Sequence, residues 1–174
     1  MVRRQEGEVE KVRRMRSDDL YSIPPGLPVP IDDGACDHLW GREVPPILLR
    51  ATDDRWVRLD QSTTSWTVVY AYPRTGVPDQ DSPPGWDAIP GARGCTPQNC
   101  AFRDHYAELQ SLGATVYGLS TQPTTYQREM VARLHLPFQI LSDVDLVLSE
   151  ALKLPTFRYG EWRLLKRFTV ILSQ

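Results

Sequence analysis

Trp66 to Tyr72, WTVVYAY, is a run rich in β-branched and aromatic residues with no charged position. A run without polar alternation predicts a strand covered on both faces. Before it, ILLRAT and WVRLDQ flank Asp53-Asp54 and predict a short hairpin. After Gly94 the pattern changes to one that suits helices. A helix fits Pro97 to about Leu112, with Thr96 as N-cap, Pro97 at the first helical position and Gly113 as its stop. ATVYGLS predicts a second strand, Thr124 to Leu136 a helix, and PFQILSD a short third strand. Asp145 to Leu152 fits another helix, and Leu164 to Leu172, LLKRFTVIL, a final strand. Strands alternating with helices imply βαβ units and an α/β domain with both sheet faces covered. No internal repeat is present.

The polar stretches divide the chain further. MVRRQEGEVEKVRRMRSDD is charged and nearly free of core-forming residues, which predicts a disordered tail or an extended start upstream of Met15. LYSIPPGLPVPIDDGACDHLWG follows, with prolines that favour extended backbone wrapped over the surface. Residues 1–43 are therefore expected to form a flexible, Pro-rich extension, and residues 44–174 the ordered domain. The segment after the apolar strand, PRTGVPDQDSPPGWDAIPGARG, is dense in Pro, Gly and Asp, and irregular loops of this length are often functional.

A formal net charge of -2 provides no basic field, so nucleic acid is not expected as the main partner. No apolar run reaches the ~20 residues of a membrane helix, and the basic amino terminus lacks the apolar core of a secretory signal. The expectation is a cytoplasmic protein. In that compartment close cysteines are more often catalytic, redox-sensing or metal-binding than structural.

Two of the chain's 3 cysteines lie in RGCTPQNCAFRD, Arg93 to Asp104. Cys95 falls at a predicted helix start, where first-turn N–H groups and the helix dipole favour an anion. Thiolate is the nucleophile, so the place suits a reactive sulfur, although a cysteine is also a common core residue. Cys100 is the natural partner. On a regular helix, positions i and i+5 differ by about 7.5 Å of rise and roughly 140°, which puts their Cα atoms about 8.6 Å apart. That exceeds the ~7 Å limit for an unstrained disulfide, so the sulfurs join only if the first turns unwind. Such a pair suits a catalytic cycle better than a static staple. C-x4-C alone is weak, and accidental spacing stays open.

GCTPQNCAFRDHYAEL, preceded by the strand ending Tyr72-Pro73, resembles the active-site region of peroxiredoxins, thiol peroxidases of the AhpC/TSA type. The nearest resemblance is to the peroxiredoxin Q or bacterioferritin comigratory protein type. GATVYGLST, LHLPFQILSD and KRFTVIL resemble that family's later strands in the family's order, so the likeness covers roughly Val44 to Leu172. The resemblance implies a thioredoxin fold, a central mixed β-sheet flanked by helices, and reduction of hydrogen peroxide or organic hydroperoxides. It implies that Cys95 is the peroxidatic cysteine, which becomes a sulfenic acid, and that Cys100 resolves it as an intramolecular disulfide. Arg167, in KRFTVIL, matches the arginine that approaches the peroxidatic sulfur and stabilises negative charge there. A thioredoxin or similar dithiol protein would be the reductant, with no metal, flavin or haem required. Two other readings remain beside the peroxidase: a thiol-disulfide oxidoreductase on protein substrates, and a non-enzymatic redox sensor or holdase.

The sequence also departs from the family pattern, Pro-x-x-x-Thr/Ser-x-x-Cys. Ala92 stands three residues before Cys95 and offers no hydroxyl, and Ala88 stands in the proline position. Pro73 keeps a proline at the strand end, with the long loop inserted after it. Thr75 and Ser82 lie in that loop, and nothing in the sequence returns either hydroxyl to the site. The family continues with a further strand and helix, whereas this sequence stops at Gln174, so a truncated form or a face covered by another subunit is expected. The expected assembly is a monomer or a weak homodimer. A zinc site from Cys95, Cys100, His105, Cys36 and His38 is a minority reading, because positions five apart turn around a helix without converging. Cys36 is either an alternative resolving thiol or an incidental one, His135 a structural histidine at a helix end, and Trp86 either an entrance residue or a loop anchor.

Overall fold

WTVVYAY forms the centre of the molecule because its two faces are buried against different partners. In the computed structural model, which describes residues 20–21, 23–61, 64–78 and 80–173, the strand is β3, Trp66–Ala71. Alternate residues point to opposite faces of a sheet. Val68, Tyr70 and Tyr72 enter one apolar cluster, and Val69 and Ala71 enter another on the reverse side. A continuous apolar run is what this double burial requires. The charged tail, residues 1–19, lies outside the described residues, as does Gln174.

The other strands are β1 (Leu48–Ala51), β2 (Trp56–Arg58), β4 (Ala114–Ser120), β5 (Gln139–Ser142), β6 (Thr156–Tyr159), β7 (Trp162–Leu165) and β8 (Phe168–Ser173). Helices are α1 (Cys95–Asp104), α2 (Tyr106–Ser111), α3 (Thr124–Leu134) and α4 (Val147–Leu152). The strands form a 6-stranded mixed sheet in the order β2-β1-β5-β4-β3-β8, and β6 and β7 form a separate hairpin. β3, β4 and β5 run parallel through helical crossovers, while β1 and β8 pair antiparallel to β5 and β3. This is an α/β, thioredoxin-like fold. α1, α2 and α3 cover the Tyr70 face through Phe102, Tyr106, Leu109, Met130 and Leu134, and α4 covers the reverse face through Leu148.

The hairpin around Asp53-Asp54 and the three parallel strands match the sequence expectation. Two elements differ. The helix after the long loop begins at Cys95, not at Pro97, and its N-cap is Gly94 instead of Thr96. Pro97 occupies the third position, where a missing N–H is still costless because first-turn donors have no intrahelical partner. That helix also breaks at His105, which closes α1 and opens α2. The final apolar stretch, LLKRFTVIL, is likewise two strands. Trp162–Leu165 pairs with β6 and Phe168–Ser173 with β3, so the chain changes sheets at Lys166-Arg167.

The described part of the Pro-rich extension lies against the domain. Ile23 packs beside Gly94 and Pro30 beside Gly91, and Lys166 pairs with Asp33 at 2.7 Å. His38 Nε2 hydrogen-bonds the Leu152 carbonyl at 2.8 Å. No helix among the described residues is long and apolar enough to cross a membrane.

Candidate active site

Cys95 is the first residue of α1, and the backbone before it explains how it gets there. Gly94 has φ +97°, a left-handed conformation that side chains other than hydrogen resist. This turn swings the loop directly into the helix, leaving Cys95 at the amino-terminal end with its sulfur buried; the residue is 4% exposed. The thiol donates to the Ala92 carbonyl at 3.5 Å.

Arg167 reaches the same sulfur from the other end of the sequence. Its side chain donates to Cys95 Sγ at 3.3 Å, and to the Gly91 and Arg93 carbonyls at 3.0 and 3.1 Å. Its second terminal nitrogen bonds Gln98 Oε1. The sheet change at Lys166-Arg167 is what aims the guanidinium: a continuous strand would have carried it along β3. Three carbonyl or amide oxygens fix the fork, so the charge is positioned before any reactant arrives.

The next turn of α1 is tied to the sheet. Asn99 is fully buried; its amide nitrogen donates to the Cys95 carbonyl at 2.8 Å, and its oxygen accepts from the Tyr70 hydroxyl at 2.7 Å. Gly118 of β4 makes room for Tyr70, since a Cβ there would lie 2.9 Å from the phenol oxygen. Phe102 stacks on the Tyr70 ring with centroids 4.0 Å apart. Tyr72, two residues on along the same face, is fully buried, and its hydroxyl has no hydrogen-bond partner among the described residues. Burial pushes both phenols well above the usual tyrosine range, with Cys95 the next contributor at Tyr72.

A cavity of about 100 Å³ opens over Cys95, lined by Arg74, Asp81, Arg93 and Trp86 of the long loop, by Thr96, and by Leu20 of the extension. Trp86 has both roles considered for it: it lines this cavity and also anchors the loop on Tyr159, at 5.4 Å between ring centroids, beside Leu164. The loop hydroxyls are engaged elsewhere. Thr75 donates to Gln122 Oε1 at 3.2 Å, and Ser82 accepts from Arg93 at 2.7 Å. Arg74 lies over the Tyr126 and Trp162 rings, 5.5 and 4.5 Å from their centroids. Ala92 is 1% exposed and presents only its methyl group.

Cys100 lies five residues along the unbroken helix α1, half-buried, and both thiols are free. Burial pushes the Cys100 thiol up, and Arg103 offsets part of that. Cys36 is half-buried beside Asp32, Asp33 and Asp37; burial first, then these carboxylates, push its thiol up. His105 pairs with Glu108 at 3.0 Å on the surface, and His38 faces Leu152, so the residues of the zinc reading are dispersed. No group of three or more His, Cys, Asp or Glu residues suited to a metal ion occurs among the described residues. His135 ends α3 at φ +51° as its left-handed cap. The structure thus brings Cys95, Arg167 and the helix bearing Cys100 together, and it adds Tyr70, Tyr72, Gln98, Asn99 and Arg93. Of these additions, only Tyr70 and Tyr72 had a sequence signal, their shared phase along β3.

Known proteins resemble the chain in sequence and in fold. The model of the AhpC/TSA family matches residues 88–172. A peroxiredoxin Q, chloroplastic, from Oryza sativa subsp. japonica is 35% identical over 103 residues, covering 59% of this chain and 41% of the rice protein. Peroxiredoxin bcp1 from Schizosaccharomyces pombe is 30% identical over 128 residues, 70% of this chain and 58% of that protein. The chain therefore spans roughly half the length of these curated relatives. Among solved structures, peroxidoxin BcpB from Mycobacterium tuberculosis superposes with a TM-score of 0.61 at 21% identity, covering 76% of this chain and 77% of that one. Peroxiredoxin Q from Xanthomonas campestris gives 0.56 at 23% identity, covering 85% and 79%.

Proposed function

Through residues 88–172 the chain belongs to the AhpC/TSA family, and from that premise we propose that it reduces hydrogen peroxide or a small organic hydroperoxide at Cys95. The observation that most supports this reading is the guanidinium of Arg167, 3.3 Å from a buried sulfur at a helix start. The Cys95 thiolate attacks one peroxide oxygen and the O–O bond breaks. The departing oxygen leaves as hydroxide or alkoxide and takes up a proton, giving water or an alcohol, and Cys95 becomes a sulfenic acid. Arg167 N–H groups face the charge that develops on sulfur and on the leaving oxygen. The cavity of about 100 Å³ suits a reactant of a few heavy atoms, since a water's share of liquid is ~30 Å³.

Resolution follows from the helix. The first turns of α1 unwind, the Cys100 thiol loses the burial that holds its proton, and its thiolate attacks the sulfenic sulfur. The S–O bond breaks, hydroxide leaves as water, and a Cys95–Cys100 disulfide forms. A dithiol protein of the thioredoxin kind returns both cysteines to thiols and is itself oxidised.

Stopped-flow mixing with hydrogen peroxide tests the first step: Cys95 sulfenic acid should form far faster than with free cysteine. A rate no better than free cysteine leaves the oxidoreductase or sensor readings instead, and reduction of a protein disulfide then separates those two. Peptide mapping tests the second step. Peroxide should yield a Cys95–Cys100 cross-link that Cys100→Ser abolishes, and a cross-link through Cys36 would overturn the assignment.

A further inference from the structure

Ala92 has no donor for the Cys95 sulfur, Thr75 donates to Gln122 and Ser82 is turned to Arg93, yet an unpartnered hydroxyl lies in the same buried cluster as Cys95. We propose that the phenol of Tyr72 is a catalytic hydrogen-bond donor to the Cys95 thiolate and to the peroxide oxygen held against it. The inference rests on the peroxidase reading only for the peroxide; the thiolate contact stands independently.

Register between β3 and α1 places the two groups together. The helix starts at the end of β3, where Gln98 donates to the Ala71 carbonyl at 3.5 Å, and it runs back along the strand. Tyr70 meets Asn99 and Phe102. From Tyr70 to Tyr72 the strand advances about 6.8 Å towards the helix start. From Asn99 to Cys95 the helix returns about 6 Å the same way. Tyr72 is thus to Cys95 as Tyr70 is to Asn99, with both phenols on one sheet face and Tyr72 and Cys95 in one apolar cluster.

The chemistry is matched in kind. A phenol in an apolar site keeps its proton and can only gain by finding an acceptor, and an unpaired buried hydroxyl is unfavourable to folding. A neutral thiol is a weak acceptor, whereas a thiolate is a strong one. The Tyr72 hydroxyl makes no hydrogen bond in this structure, so the contact forms when the phenol closes on the sulfur, an approach that a thiolate favours and a thiol does not.

The test reads the thiolate directly. In a Cys36→Ser/Cys100→Ser background, alkylation of Cys95 by iodoacetamide is followed across pH with and without Tyr72→Phe. The other titratable and charged groups nearby are unchanged in this variant: Arg167 on the sulfur from the β7–β8 corner, Arg74, Asp81 and Arg93 lining the cavity from the loop, and Tyr126 of α3 beside Tyr72. Removing one hydrogen bond to a charged acceptor should slow alkylation about tenfold in mildly acidic buffer, with the two rates converging in alkaline buffer. Equal rates throughout would overturn the proposal. Wild-type protein provides a second measurement that needs no substitution at Tyr72. With carbon-labelled tyrosine, the Tyr72 ring resonance should shift as Cys95 ionises, and Cys95→Ser should abolish that shift; a resonance indifferent to Cys95 would also overturn it. Neither readout uses peroxide, so slow peroxide oxidation of the wild type would count against the peroxidase reading alone.

Discussion

Arg167 contributes by position as much as by charge. It is fixed by the carbonyls of Gly91 and Arg93, which accept from its guanidinium. Arg167→Met should slow Cys95 oxidation about 10- to 100-fold, the size of one hydrogen bond to a charged group, while the protein stays folded. Stopped-flow rates beside a thermal unfolding curve check this, and an unchanged rate would remove Arg167 from the site. The buried phenols set a pH limit. Tyr70 and Tyr72 hold their protons more tightly folded than unfolded, because burial raises both. Stability from this source is complete below the unfolded tyrosine value, about 10, and falls as pH rises above it. Each phenol should cost about 1.4 kcal/mol per pH unit there, visible as a falling urea midpoint. Tyr72→Phe should reduce that slope, and a slope unchanged by it would contradict the assignment.

Among the elements, α1 holds its reactive end under opposing demands. Asn99 ties it to Tyr70, yet joining Cys95 to Cys100 needs these turns to open. Asn99→Ala should cost about 1–3 kcal/mol by leaving the Tyr70 hydroxyl unpaired, and should speed disulfide formation after peroxide, followed by timed quench and intact mass. Slower closure would mean that unwinding is not the limiting event. The strands, helices and crossovers were legible because each carries its own period: WTVVYAY reads as doubly buried whatever surrounds it. Cys95 and Cys100 were legible through their local chain context. Arg167 was found only through resemblance, because its geometry depends on a sheet change that LLKRFTVIL does not announce. Six apolar residues around one Lys-Arg pair look like a single strand, and what divides them is pairing with β6, a contact made by a different segment. The N-cap was misplaced for a related reason. Thr96 is a better capping residue than glycine by side chain, but the left-handed turn at Gly94 had already been spent on entering the helix.

Across the whole molecule, the site is assembled from segments far apart in the chain: the long loop and the extension, through Leu20, wall the cavity, and the corner at Arg167 contacts the sulfur. Leu20, the wall residue that the extension supplies, is half-exposed. Leu20→Ala should widen the cavity and raise the rate with cumene hydroperoxide relative to hydrogen peroxide several-fold, at a stability cost below about 1 kcal/mol. Paired stopped-flow rates measure it, and an unchanged ratio would show that Leu20 does not limit access. The extension also imposes an order of assembly. Its seats are Gly91 and Gly94, and its ion pair with Lys166 joins positions 133 residues apart. On a ribosome, the extension emerges early and waits, because its last anchor is not yet synthesised, and long-range closure comes late in folding. During that interval Leu20 has no cavity to wall. A nascent chain therefore passes through a stage at which the thiol of Cys95 exists but its enclosure does not.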